Sequence, residues 1–129
     1  MNDCENEVYT RVATVLREKF PGINLSGEYV KAPSSFPHVS IVQSETVTVY
    51  MKTTDTKEYD RLLFEINIYS NKAAGKKTEC KAIAKEIDRI MFSMNFRRMT
   101  MTPVPNMEDA SIYRMVARYR VTTDGKYFY

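Results

Sequence analysis

Apolar residues recur with two different periods along this chain, and the switches between the periods mark out its elements. Val8, Val12, Val15, Leu16 and Phe20 follow helical spacing, with Glu5 and Glu7 in the first turn. Asn2 or Asp3 is placed to cap this helix and Pro21-Gly22 to stop it. Residues 25–31 read as a short strand. Residues 32–37, Ala-Pro-Ser-Ser-Phe-Pro, read as a link, since two prolines exclude a ladder there. Residues 38–43 are β-like, and Val47, Val49 and Met51 then alternate with Thr46, Thr48, Tyr50 and Lys52. Residues 53–57 are polar, as in a hairpin tip.

The clearest period of two comes next. Leu62, Phe64, Ile66 and Ile68 face one way; Arg61, Leu63, Glu65 and Asn67 face the other. A second helix follows, with Cys80, Ile83, Ala84, Ile87, Ile90, Met91 and Met94 in one apolar stripe. Residues 97–104 resume a strand pattern broken by Pro103 and Pro105, and residues 106–109 form a turn. In the last strand Tyr113, Met115, Ala117, Tyr119 and Val121 oppose Ile112, Arg114, Val116, Arg118 and Arg120. Asp124-Gly125 then turns the chain into an aromatic end, Tyr127-Phe128-Tyr129. Strands joined by short turns pair antiparallel, and both amphipathic helices need one sheet face. The pattern predicts an α+β domain over residues 1–129: two helices on one face of a mostly antiparallel sheet of four to five strands.

Composition narrows the chemistry. A chain of 129 residues with 43% hydrophobic and 27% charged residues can bury a core without a metal or a disulfide. The net charge of +3 permits contact with nucleic acid without arguing for it. No apolar run reaches the length of a membrane span, and the polar, acidic start is unlike a signal peptide. Two cysteines, Cys4 and Cys80, and one histidine, His38, allow no zinc site of usual spacing. The thiols are expected to be reduced and unbridged, and no cofactor is expected.

Ala-Gly-Lys-Lys-Thr at residues 74–78 looks like the end of a phosphate-binding loop. Lys77 separates Lys76 from Thr78, however, and Ser70 stands where the earlier glycine is needed. The expectation is a helix start with Thr78 or Ser70 helping to cap it and both lysines solvated. His38 has no serine or cysteine nucleophile in a recognisable context and reads as structural or solvent-facing. Met91, Met94, Met99 and Met101 read as core fillers. Arg114, Arg118 and Arg120 share a strand face, with Arg97 and Arg98 on the preceding strand. This is either a phosphate-contacting stripe or, as favoured here, a solvated face whose arginines pair with carboxylates such as Glu65.

Several stretches together resemble the tail-terminator, or tail-completion, proteins of long-tailed bacteriophages. They are Gly27-Glu28-Tyr29-Val30, "PSSFPHVSI" at 33–41, "FEINIYSNKAAGKKTECKAIAKEIDRIM" at 64–91, "NFRRM" at 95–99 and "YRMVARYR" at 113–120. The resemblance covers nearly the whole chain and contains no catalytic motif. It implies a non-enzymatic virion protein, made in the host cytoplasm, that forms a ring, by resemblance a hexamer. Such a ring caps the tail tube, stops its growth and joins it to the head-side connector, with passive contact to DNA in its lumen. The candidate contact residues are Val47, Val49 and Met51 on an arm, Arg114, Arg118 and Arg120 at an edge, and Tyr127, Phe128 and Tyr129 at the aromatic end. Exposed apolar pieces often mark contact surfaces; the alternative is that these pieces fold onto the chain's own core. The competing functions are a head-side stopper or adaptor, a nucleic-acid-binding module using the arginine face, and a small enzyme using His38.

Overall fold

The computed structural model describes residues 1–51, 58–105 and 109–129, with only the backbone of Tyr50 and Met51. The expected hairpin tip at 53–57 lies outside the described residues, as does most of the expected turn at 106–109. The elements are α1 (Glu5–Lys19), β1 (Asn24–Ser26), β2 (His38–Met51), β3 (Glu58–Ser70), α2 (Lys76–Ser93), β4 (Arg97–Pro105) and β5 (Tyr113–Thr123). The strands form one sheet in the order β1-β2-β3-β5-β4. Every pairing is antiparallel except the short β1–β2 ladder. The fold is α+β, as the pattern predicts.

One sheet face carries the core. Val39 and Ile41 of β2, Leu62, Phe64, Ile66 and Ile68 of β3, and Ala117, Tyr119 and Val121 of β5 are buried. Val8, Val12 and Leu16 of α1 and the stripe Cys80, Ile83, Ala84, Ile87, Ile90 and Met91 of α2 join them in one cluster. Both helices therefore lie on the same face, where their apolar stripes exclude water together. Phe96 turns edge-on to Phe64, with centroids 5.4 Å apart.

β2 is longer and less regular than its alternation suggests. It runs unbroken from His38 to Met51, with irregularities at Ser44 and at Val49. The first one inverts the alternation: Gln43 pairs with Phe64 on the core face, but Thr46, three residues on, pairs with Leu62 on that same face. Val47, opposite Arg61, consequently faces away from the helices.

Several local expectations are corrected. β1 spans only Asn24–Ser26 and not residues 25–31, because the Ser26 hydroxyl accepts the Glu28 amide and turns the chain. Pro103 and Pro105 do not break β4; they lie within it. β4 is an edge strand, so a proline can turn its missing N–H outward without costing the ladder a bond. The edge expected around Arg114–Arg120 is not an edge, since β5 is hydrogen-bonded on both sides, to β3 and β4.

Neither Asn2 nor Asp3 occupies the N-cap of α1, which is Cys4. Asp3 nevertheless accepts the Glu5 amide, while Asn2 is drawn to Glu58 and Asp60. Gly75, at φ 93°, is the N-cap of α2; Thr78 and Ser70 make no cap bond. The Ser70 hydroxyl instead donates to Glu79 at 2.7 Å. Lys77 is exposed, but Lys76 is half-buried and donates to the Ser111 carbonyl at 3.1 Å. Met99 is 51% exposed rather than a core filler, because the β4 irregularity between Arg98 and Thr100 turns it out of the pleat.

Ile87 is the centre of the α2 stripe and has no solvent exposure. An unpaired carboxylate there costs several kcal/mol against a total stability on the order of 5–15 kcal/mol. Ile87→Asp is expected to abolish the cooperative unfolding transition, read by circular dichroism against urea. Retention of a wild-type transition would contradict the assignment of this residue to the core.

Candidate functional site

Among the described residues, the candidate nucleophiles and His38 lie apart. Cys80 is buried at one end of β5, with its sulfur 3.6 Å from the Tyr113 carbonyl, and burial pushes its thiol up to about 12. Cys4 is buried at the other end, beside Thr123. Both cysteines are free. Ten residues of extended strand separate Tyr113 from Thr123, about 33 Å, so no bridge between them is possible. Among the described residues no group of His, Cys, Asp and Glu could hold a metal ion. Among the described residues no helix is long and apolar enough to cross a membrane.

The informative surface is the sheet face turned away from the helices. Cross-strand register arranges it in rows. His38 of β2 lies opposite Tyr69 of β3, which lies opposite Arg114 of β5; the next row is Ser40, Asn67 and Val116; the next is Val42, Glu65 and Arg118. The first two rows are largely buried although no helix covers them. Residues 27–37, between β1 and β2, cross over them. Pro33 of this loop is buried, and its Tyr29 reaches Arg114, which lies two strands beyond β2.

Arg114 is the clamp. Its guanidinium sits 5.7 Å from the Tyr29 ring centre and 5.6 Å from that of Tyr69. It also donates two hydrogen bonds to Asn67 Oδ1, at 3.0 and 2.8 Å. A planar cation suits this position because it can stack on two rings and fork onto one acceptor. Burial pushes the Tyr69 phenol up to about 12, partly offset by the Arg114 charge. His38 lies against Tyr69, ring centres 5.9 Å apart, and is 2% exposed. Burial lowers its pKa, so the ring is neutral near pH 7.

The other candidate residues separate into groups. Arg118 pairs with Glu65 at 3.4 Å, the pairing expected from the sequence. Arg120 lies opposite Arg97 of β4 on the same outward face. Arg98 points to the helix side and pairs with Asp88 at 3.4 Å. Asp88 also accepts the buried Tyr119 hydroxyl, and burial followed by the Asp88 charge raises that phenol's pKa. Val47 and Val49 are 42% and 44% exposed. Only the backbone of Met51 is described.

The aromatic end is divided. Phe128 bridges to Thr123 and packs on Phe96 and the core, whereas Tyr127 and Tyr129 are largely exposed. Reasoning from sequence missed Tyr29, Arg61 and Phe92. Phe92 is 77% exposed, and its signal was present: it is an apolar residue outside the α2 stripe.

No family model and no curated protein matches this chain. A solved structure does. It is a chain from the virion of a native gene transfer agent (GTA) particle, with a TM-score of 0.70 and 15% identity, covering 90% of each chain. The likeness is one of fold.

Two expectations follow from the buried rows. Arg114→Ala strands the Asn67 acceptor and frees the loop, at about 1–3 kcal/mol. Urea unfolding should show that loss, and amide exchange in residues 27–37 should accelerate; unchanged loop exchange would remove Arg114 from this role. For His38, the unfolded ring takes a proton as pH falls below its ordinary value of 6.5, while the folded ring resists. The unfolded state then binds more protons, so stability is full above that pH and declines below it. His38→Gln should flatten the stability profile between that value and the onset of carboxylate titration. An unaltered profile would show that His38 does not set it.

Proposed function

We propose that this chain is a structural virion protein of the tail-terminator type. Copies close into a ring, by resemblance a hexamer, that caps the tail tube, stops its growth and presents a surface to the head-side connector. DNA passes through the lumen. Two independent supports converge: the sequence stretches that resemble tail terminators, and a fold similar to that of a chain in a gene transfer agent virion.

The observation that carries the ring is the pair of unpaired sheet edges. β1 covers only His38–Ser40 and the Glu5 carboxylate accepts the Gln43 amide, so among the described residues the outer side of β2 has no strand partner from Ser44 onward. At the other end of the sheet, β4 has no strand partner on its outer side among the described residues. These are different patches on opposite ends of one body, as a closed head-to-tail assembly requires. Joining β2 of one copy to β4 of the next satisfies edge amides on both.

The chemistry of the two edges is complementary. Exposed Val47 and Val49 with Glu45 lie on or beside one edge; Met99, Phe92, Arg97 and Arg98 lie on or beside the other. Pro103 and Pro105 lack amide hydrogens, which restricts the pairing to Arg97–Thr102. β4 thus replaces the edge around Arg114–Arg120 as the receiving surface, and Tyr127 and Tyr129 flank it.

The test uses tail tubes, because a tube end can template a ring that dilute protein does not form alone. Replacing Val47 and Val49 with aspartate is expected to leave a folded monomer by circular dichroism and sedimentation. That monomer should fail to cap tubes, which then grow beyond normal length in electron micrographs. Wild-type tube lengths with this variant would exclude β2 as the ring contact. Failure of the unaltered protein to associate with tube ends at all would exclude the tail-terminator reading.

A further inference from the structure

Arg61 of β3, Arg120 of β5 and Arg97 of β4 converge on one open cleft of about 160 Å³ on the outward sheet face. Arg97 and Arg120 are direct cross-strand partners. Like charges in that position repel, and a sheet normally avoids the arrangement. Nearby arginines have their charge answered: Arg118 by Glu65 and Arg98 by Asp88. Among the described residues no carboxylate side chain forms an ion pair with Arg61, Arg97 or Arg120. All three are exposed. The cleft therefore concentrates positive charge at the cost of internal repulsion, and an anion seated among the guanidiniums would reverse the sign of that contribution.

We infer that this cleft binds the phosphodiester backbone of nucleic acid. The rest of the lining favours phosphate over an acidic protein segment. Besides the arginines, it consists of Asn95, Thr122, Tyr129 and one apolar residue, Val121. Arginine, threonine, asparagine and tyrosine are the side chains that contact phosphate oxygens, whereas a protein segment needs apolar contact as well as charge. The exposed apolar side chains Phe92 and Met99 adjoin the cleft across Arg97 and Arg120, but that neighbouring surface also carries the Asp88 carboxylate, which disfavours an acidic segment, and Arg61 has no part in it.

Two of the polar lining groups already have tasks. The Asn95 amide donates to the Phe128 carbonyl at 2.8 Å, and the Tyr129 hydroxyl donates to Asp124 at 2.8 Å. They hold the rim in shape, and the three guanidiniums supply the charge. Arg61 and Arg120 lie on strands inside the sheet, clear of the β4 edge, so this binding does not depend on the ring. No base edge is addressed, and the contact reads no sequence.

The test is fluorescence anisotropy of a short labelled DNA duplex with the isolated protein at several salt concentrations. Three phosphate contacts give a slope of log affinity against log salt of about −2.7. Arg61→Ala and Arg120→Ala should each weaken binding and reduce the slope by about 1. Arg11→Ala, on the exposed side of α1, should leave both unchanged. Arg61→Ala and Arg120→Ala are surface changes, and circular dichroism confirms that each variant is folded. Three results would overturn the assignment: no binding at low salt, equal weakening by Arg11→Ala, or a polyglutamate peptide that binds while the duplex does not. Because the ring is not needed for this measurement, tubes that go uncapped leave it untouched, and a duplex that fails to bind leaves the capping experiment untouched.

Discussion

Strand β3 is hydrogen-bonded on both sides, to β2 and to β5, and Leu62, Phe64, Ile66 and Ile68 on one of its faces are fully excluded from solvent. A strand in that position has no free backbone and one face of strictly alternating apolar residues. Both helices must bring their stripes to it, since no other surface in the chain removes as much apolar area from water. The phase of its neighbours follows from the same constraint, because a slip of one residue would turn the apolar row outward. The placement of the arginines on the opposite face is a by-product of that register.

What was legible in the sequence follows from this. The alternation at 62–68 and 113–121 and the helical stripe at 80–94 are long and unmixed, so the layers and the face of each element could be read directly. Elements whose shape depends on tertiary neighbours could not. Nothing local says that Pro103 and Pro105 lie in a strand; only their place at the sheet edge makes them tolerable. Arg114 looks like its neighbours Arg118 and Arg120 along the strand. Its different role comes from Tyr29, which lies far away in sequence and is brought near by a loop with no periodicity to read. The pairing of Arg118 with Glu65 was legible because both fall on the outward phase of two regular strands.

The outward face is divided by this loop into two environments. Under it, His38, Ser40, Asn67 and Tyr69 are withdrawn from water, and burial depresses the basicity of His38. Beyond it, Arg118 pairs with Glu65, and Arg120, Arg97 and Arg61 remain in solvent, where their charge is available but screened by salt. Polar residues on one face of one sheet thus do opposite work: at one end they fix a covering segment, and at the other they present charge. The edges are divided in a similar way, β2 with valines and a carboxylate, β4 with arginines and methionine.

The irregularity at Ser44 has a consequence for how such a chain can change over generations. It acts as a phase shifter between two halves of β2: without it, Val47 would continue the odd-numbered series of Val39 and Ile41 and point toward the helices. A single codon lost or gained just after Ser44 exchanges the inner and outer residues of the segment that follows, whereas two together leave their facing intact. Arm length can therefore drift in lineages only in even steps, unless a further irregularity, beyond those at Ser44 and Val49, arises to compensate.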